Sequence, residues 1–328
     1  MPSSSPSRWQ VSHPRPPQLA ACIGLLCDPH ELSGLSPEGV QRLAHDAFSG
    51  NVGKLWIVTP INHPGEVLAA LVSSPHPGRI AFTWPPRIAP EGEQRSADLA
   101  ELLLTAAAEH HASEGVDVFQ CLVWNQPATL PDPVLPVWLD EALNRSGFVH
   151  RTRLDGRESE LAVLRLPERP AKMEPYLPEH QAEWESLVAE TLRASFDCPY
   201  LEGRRTGKDL LDSLAPSDAV RSSWWWRAVD TETEEPSAVL LLDPCPGTDR
   251  LEIAYLGVVP KYRGRGLGKR LVAEAAAVAR AAGQSRIRVT ADSSNTYASS
   301  VYDECNLRIV TRALACVRLS DQPAASSG

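Results

Sequence analysis

Apolar positions along the chain fall into two runs of the same order, separated by a stretch in which proline and charge break every period. From residue 224 onward, WWWRAV, SAVLLLD and LEIAYLGVV are short, apolar and rich in branched or aromatic side chains, which predicts three strands, the third stopped by Pro260. LGKRLVAEAAAVARAAG, starting at Leu267, is alanine-rich and predicts a helix closed by Gly283. Ile287, Val289 and Ala291 then alternate with Arg286, Arg288 and Thr290, the period of two of a strand. A short helix over 298–304 and a strand near 309–319 complete the order β-β-β-loop-α-β-α-β. The first half repeats it. KLWIVTPI, EVLAALVSS and RIAFTWPP predict strands, SADLAELLLTAAAEHHASEG a helix, VDVFQCLVW a strand, VWLDEALNRSGF a helix, and VHRTRL and LAVLRL close the run. The period is about 160 residues, and it is a repeat of pattern more than of letters.

This pattern divides the 328 residues into a disordered Pro/Ser-rich lead-in over 1–18, a first domain over 19–168, a second over 169–320 and a short tail over 321–328. The linker is LRLPERPAKMEP, residues 164–175. Each half is long enough to bury its own core. The apolar run LAACIGLLC is nine residues long, far below the ~20 that a membrane helix needs. Seven cysteines, odd in number and without a CxxC pair, argue against a zinc ribbon or a disulfide framework and lead us to expect reduced thiols in a cytoplasm. A formal net charge of -9 excludes general nucleic-acid binding.

Against that acidic background one string stands out. RGRGLGKR, residues 263–270, interleaves three glycines with four cations just before a predicted helix. Glycines at alternate positions let the backbone approach a ligand closely, and the cations point to an anion. The spacing fits neither GxxxxGK followed by Ser or Thr nor GxGxxG, so the nucleotide loops of those types are excluded.

YLGVVPKYRGRGLGKRLV, followed by NTYASSVYDECNL, resembles the GNAT superfamily of N-acetyltransferases. The family's pyrophosphate pattern, Q/R-x-x-G-x-G/A, is met by Arg263, Gly266 and Gly268. Its second pattern, N-x-x-A-x-x-x-Y-x-x-x-G-F, is met at Asn295, Ala298 and Tyr302, while Asn306 and Leu307 stand where Gly and Phe are usual. Asn is the side chain that best tolerates the left-handed backbone that Gly would supply. The resemblance covers residues 175–320 well and implies an α/β (α+β) fold of two GNAT-like domains. Each would be a mixed, mostly antiparallel sheet flanked by helices, the first degenerate: WPPRIAPEGEQRS replaces the glycine loop. The tandem layout is also similar to that of the mycothiol synthase family.

The resemblance implies acetyl-CoA as co-substrate and no metal, with Leu256, Gly257, Val258, Arg263, Gly264, Arg265, Gly266, Leu267, Gly268, Lys269 and Asn295 in its binding site. Backbone N–H groups and the positive end of the helix at Leu267 suit a pyrophosphate, and Arg263, Arg265 and Lys269 would add charge. Glu252, eleven residues before Arg263, is the candidate base; the other reading is a carboxylate facing solvent at a strand start. Strict alternation would place Glu252 with Ala254 and Leu256, opposite Ile253 and Tyr255. Tyr302 is the candidate acid for the leaving thiolate. Asn295 either caps a helix or bonds the pantetheine arm. Expected is direct attack by a primary amine, small-molecule or protein, with acetylation of a small thiol precursor and a non-catalytic acyl-CoA sensor as alternatives.

The remaining features read as structure. Trp224 to Trp226 read as a strand with core on both faces, and His110 and His111, adjacent on a helix, point to different faces and do not suggest a metal site. Cys305 lies near Tyr302 without the local His–acid pair of an acyl-enzyme. DCPYLEGRRTGKDLL, residues 197–211, is either a substrate loop or a connector. No sequence signal bears on oligomeric state.

Overall fold

The computed structural model describes residues 8–26, 53–125, 134–168, 171–214, 218–245 and 247–321. These residues pack as two units. The first takes the described residues up to 123, 134–151 and those from 315; the second takes 124–125 and 152–314.

In the first unit the elements run β1 (Trp9–Ser12), α1 (Pro16–Leu26), β2 (Lys54–Pro60), β3 (Ala69–His76), β4 (Ile80–Thr83), β5 (Arg87–Ile88), α2 (Ser96–Ser113), β6 (Val118–Asn125) and α3 (Val137–Arg145), to the start of β7 (His150–Glu160). Strand order is β1-β2-β3-β4-β6, with β4 and β6 parallel and β5 beside β3. Leu55 to Thr59 are buried without a break, as befits a strand covered on both faces. Residues 9–12, expected in a disordered lead-in, instead form an edge strand against β2, and α1 starts at Pro16. The tail over 322–328 lies outside the described residues.

The second unit continues with β8 (Lys172–Pro175), α4 (Gln181–Leu192), α5 (Gly207–Leu214), α6 (Asp218–Trp224), β9 (Trp225–Val229), β10 (Pro236–Pro244), β11 (Arg250–Val258), α7 (Leu267–Ala281), β12 (Arg286–Asp292), α8 (Thr296–Glu304) and β13 (Arg308–Leu319). Strand order is β13-β7-β12-β11-β10-β9-β8, antiparallel at β7/β12, β11/β10, β10/β9 and β9/β8 and parallel at β11/β12. One face, with Leu240, Leu242, Leu251, Ile253, Ile287 and Val289, packs on Leu271, Val272, Ala275, Ala276 and Ala279 of α7, a helical stripe. On the other, Trp225, Val239 and Leu241 pack with Trp184, Leu187 and Val188 of α4 and Leu210 and Leu211 of α5. Trp225 is buried in that second core and Trp226 packs on the first, while Trp224 ends α6 rather than starting a strand.

The predicted linker ends in β8, whose ladder to β9 was hidden in a Pro- and charge-rich string. Residues 152–168, assigned from sequence to the first domain, belong to the second unit, because Leu154–Glu160 of β7 pair with β12. Residues 315–320, assigned to the second domain, belong to the first unit. Both closing strands are thus divided: residues 150–151 of β7 and 315–319 of β13 fall in the first unit, and 152–160 and 308–314 in the second.

Four helices, two per copy, end in one way. Val116 N donates to His111 O, Phe148 N to Leu143 O, Gln284 N to Ala279 O and Leu307 N to Tyr302 O. The residues before those donors, Gly115, Gly147, Gly283 and Asn306, all have φ between 67° and 88°. This is the left-handed helix stop, and Asn306 replaces Gly there while its Nδ2 also donates to Val163 O at 2.9 Å.

On α2, His111 is fully buried. Its Nε2 lies 2.8 Å from Ser73 Oγ, which accepts from Trp56 Nε1 at 2.9 Å. Burial first, then His110 and Lys54, push its pKa down to about 4, against an opposing pull from Glu114. A base with a depressed pKa favours its neutral form in the fold. Its contribution is complete above the ordinary 6.5 and is lost as pH falls from there toward 4. Acidification from pH 7 to pH 5 is expected to cost the first unit about 2 kcal/mol through this residue. Urea unfolding at both pH values, for wild type and His111→Phe, checks it; equal pH slopes would overturn the assignment.

Candidate active site

The parallel ladder between β11 and β12 ends at Ile253 and Val289, although β11 runs on to Val258 and β12 to Asp292. Past that point the strands part. Leu241 pairs with Tyr255 and Leu242 with Ile253, so Ala254 is an extra residue on β11, a bulge at the mouth of the opening. The bulge shifts the alternation by one: Ile253 and, beyond it, Leu256 pack on the α7 side, whereas Tyr255 packs on the α4 side. Glu252, opposite in face to Ile253, therefore shares a face with Tyr255 and not with Leu256, which corrects the uninterrupted alternation expected from sequence. Gly257 is required by close approach: a Cβ there would meet Thr191 Oγ1 and the Tyr255 hydroxyl, both at 2.7 Å.

Directly after β11 comes the glycine loop. Gly264 and Gly266 have φ of 74° and 73°, and a Cβ on either would project into open space. Gly266 is the N-cap of α7, so the amides of Leu267, Gly268 and Lys269 are first-turn donors without an intrahelical partner. Gly268 faces Val301, whose Cγ2 would lie 3.3 Å from an added Cβ, and so seats α7 on α8. The cations serve differently from the charge they suggest. Arg263 donates to the carbonyls of Thr191 (3.0 Å), Arg193 (2.8 Å), Ala194 (2.7 Å) and Val258 (3.0 Å), capping the C-terminus of α4. Lys269 is ion-paired with Glu304, and Arg265 lies 5.4 Å over the ring of Tyr262. What the loop leaves open is thus a set of first-turn backbone N–H groups, with Arg265 its exposed cation.

Glu252 is half-buried. Asp243 stands opposite it on β10 and Arg288 on β12, and Cys245 Sγ is 3.9 Å from its Oε2. Burial raises its pKa, with Asp243 adding to the rise and Arg288, Arg250 and Cys245 opposing it. Arg250 and Arg286 are engaged by Glu158 at 3.2 and 3.3 Å, and Arg288 reaches Thr311 Oγ1 at 3.3 Å. Tyr302, on α8, is 5% exposed, and its hydroxyl bonds to no described residue. Burial first, then Asp197, raises its pKa, so it remains a protonated donor at neutral pH. Asn295 caps α8, its Oδ1 accepting from Ala298 N at 3.1 Å. Cys305 is fully buried and its thiol is pushed up by that burial, which removes it as an acyl carrier.

Residues 184–307, which hold the bulge, the opening and the glycine loop, match the model of the Acetyltransferase (GNAT) family. The second unit contains a GNAT domain. Solved structures extend the likeness in fold to the whole chain. A GCN5-related N-acetyltransferase from Sphaerobacter thermophilus is similar at 17% identity and a TM-score of 0.59, with 98% of each chain covered. A GCN5-related glucosamine N-acetyltransferase region of a fungal multi-domain β-N-acetylglucosaminidase gives 14% and 0.62, covering 95% of this chain and 38% of that one. A tandem GNAT protein from the clavulanic acid biosynthesis pathway gives 15% and 0.52, covering 95% and 98%. No curated protein sequence matches the chain.

Within the GNAT domain, sequence reading missed the segment after α4. Asp197 Oδ1 accepts from Asp292 N at 2.9 Å, and Asp292 Oδ2 accepts from Cys198 N at 3.1 Å, a reciprocal clip onto the end of β12. Among the described residues, Asp197, Cys198 and Asp292 have metal-ligand atom types within 4.8 Å of one another. Backbone amides and Ser294 already take those Asp292 oxygens, so the group reads as a loop clasp. The only hint of it was the irregular DCPY string. In the first unit, the opening of α2 corresponds to the glycine loop but carries Glu93 and Asp98; a cavity of about 450 Å³ there is lined by Glu93, Arg95, Asp98, Glu141 and Arg145, with Asp98 paired to both Arg95 and Arg145.

Proposed function

We propose that the GNAT domain transfers an acetyl group from acetyl-CoA to a primary amine by direct attack, and that the first unit does not bind the coenzyme. The observation that carries this reading is the parted end of β11 and β12, with the half-buried Glu252 on β11 and the first-turn amides of α7 following directly after that strand. The glycine loop fits the coenzyme: two left-handed glycines leave open the space that side chains would fill, and the amides of Leu267, Gly268 and Lys269 suit a pyrophosphate. Acetyl-CoA supplies an activated thioester. The edge of β11 over Leu256 to Val258, past its last pairing with β12, orients it. Glu252, deprotonated, takes one proton from the ammonium to give the free amine that attacks, and the second proton, lost from nitrogen once its bond to carbon has formed, restores the Tyr302 phenol. Tyr302 donates its proton to the sulfur as the C–S bond breaks. Carboxylates of Glu93 and Asp98 repel an anion in the first unit, which supports a non-catalytic role for it.

The test uses the full chain. Acetyl-CoA is expected to raise its melting temperature by mass action, and primary amines to release free thiol from it. Absence of both effects would end the reading, whereas a thermal shift without thiol release across an amine panel would favour a sensor.

A further inference from the structure

Five residues after α4, Ala194 to Cys198, are bent in an unusual way. Ala194 and Cys198 have φ of 49° and 48°, left-handed values that residues other than Gly adopt only under strain. Between them, Phe196 and Asp197 are turned to opposite tasks. Phe196, 54% exposed, lies against the ring of Tyr297 at the start of α8, itself 68% exposed, with centroids 5.1 Å apart. Asp197 reaches inward to the end of β12. Its residue is solvent-exposed, yet surrounding protein raises its pKa, and its charge is felt by both Tyr302 and Tyr255. Asp197 thus stands at the end of β12 beyond the last rung of the β11/β12 ladder, where the two strands have parted.

Three independent anchors hold the segment in this strained form. Arg263 grips the carbonyls of Thr191, Arg193 and Ala194 at one end, the Asp292 clip fixes the other, and Glu202 Oε1 accepts from Ala194 N at 3.1 Å. A strain maintained by that many bonds signals a demand for the presented side chains. Two large aromatic rings from separate elements, left open to water, form an apolar shelf that packing within the domain does not use. Next to Phe196 in the chain stands the exposed carboxylate of Asp197.

Resting on the amine-acetylation reading above, we infer that the acceptor is a primary amine attached through a short chain to a flat aromatic group, an arylalkylamine in chemical class. Asp197 receives its ammonium on entry, and Phe196 and Tyr297 take its ring. The carboxylate supplies charge complementarity, and the tilted ring pair supplies a face on which an aromatic group stacks. Deprotonation for attack then falls to Glu252, so Asp197 is a specificity residue that sets affinity.

The experiment compares phenethylamine, propylamine and glucosamine as acceptors, with thiol release as the readout, in wild type, Phe196→Ala/Tyr297→Ala and Asp197→Asn. Each variant is first checked for an acetyl-CoA-induced thermal shift, which shows that it folds. In wild type, kcat/KM for phenethylamine is expected to exceed that for propylamine by about tenfold or more, the scale of one buried apolar group. In the double variant that ratio collapses toward one through KM for phenethylamine. Asp197→Asn raises KM for both simple amines. Propylamine or glucosamine preferred in wild type, or an aryl preference that survives the double variant, overturns this inference and leaves amine acetylation standing. A rise in KM for acetyl-CoA instead of for the amine would assign the shelf to the coenzyme and also overturn it. Failure of every amine removes the underlying reading, and this one with it.

Discussion

Glu252→Gln is expected to lower turnover by ~10²–10⁴-fold at neutral pH, the usual worth of a positioned general base, with acetyl-CoA affinity retained. The pH dependence distinguishes this from a packing defect. Burial raises the pKa of Glu252, so the wild-type rate should fall on the acid side at a pH above the ~4.3 of an ordinary glutamate. Gln cannot titrate, and that limb should disappear. On the alkaline side the deficit should shrink, because more of the amine arrives without its proton. Tyr302→Phe removes only a hydroxyl that bonds to no described residue, so it should bind acetyl-CoA normally and lose turnover at every pH below the tyrosine's own titration. pH–rate profiles of the two variants, with coenzyme affinity measured calorimetrically, decide the matter. A Glu252→Gln profile indistinguishable from wild type would return that residue to a structural carboxylate, and full activity in Tyr302→Phe would remove the acid.

Gly266→Val should weaken acetyl-CoA binding by about tenfold or more in a chain that remains folded. Gly266 sits at φ 73°; a branched residue there carries about 1–2 kcal/mol of strain in the bound loop geometry. Its side chain would also project into the open space that the amides face. Lys269→Ala supplies the contrast. A reading by charge alone predicts a large loss, but Lys269 is already paired with Glu304, and exposed pairs of this kind are worth little. Its effect should stay within a few-fold. Titration calorimetry on both variants checks the ranking, and a Lys269→Ala defect larger than that of Gly266→Val would mean that the cradle works through side-chain charge after all.

Much of the fold was readable because its signals are local. Helix stripes in α2 and α7, the left-handed stops at Gly283 and Asn306, and the glycine loop at the start of α7 each depend on residues a few positions apart. Short-range periodicity and backbone sterics are enough to specify them. The three helices α4, α5 and α6 escaped notice: α5 and α6 are only eight and seven residues long, and α4 follows a proline-broken stretch.

By itself, then, the sequence determined the repeated order of elements, the loss of the glycine loop from the first copy, and the candidate carboxylate and phenol eleven residues before and within the two motifs. Tertiary structure alone decided the face on which Glu252 lies, since one extra residue at Ala254 reverses an alternation that sequence reads as unbroken. It decided that Arg263 closes a helix instead of meeting a phosphate, because the carbonyls that bind it come from residues some seventy positions away. It also assigned β7 to the second unit through its ladder with β12. Each of these outcomes depends on which distant backbone groups satisfy one another's hydrogen bonds, and no local period carries that information.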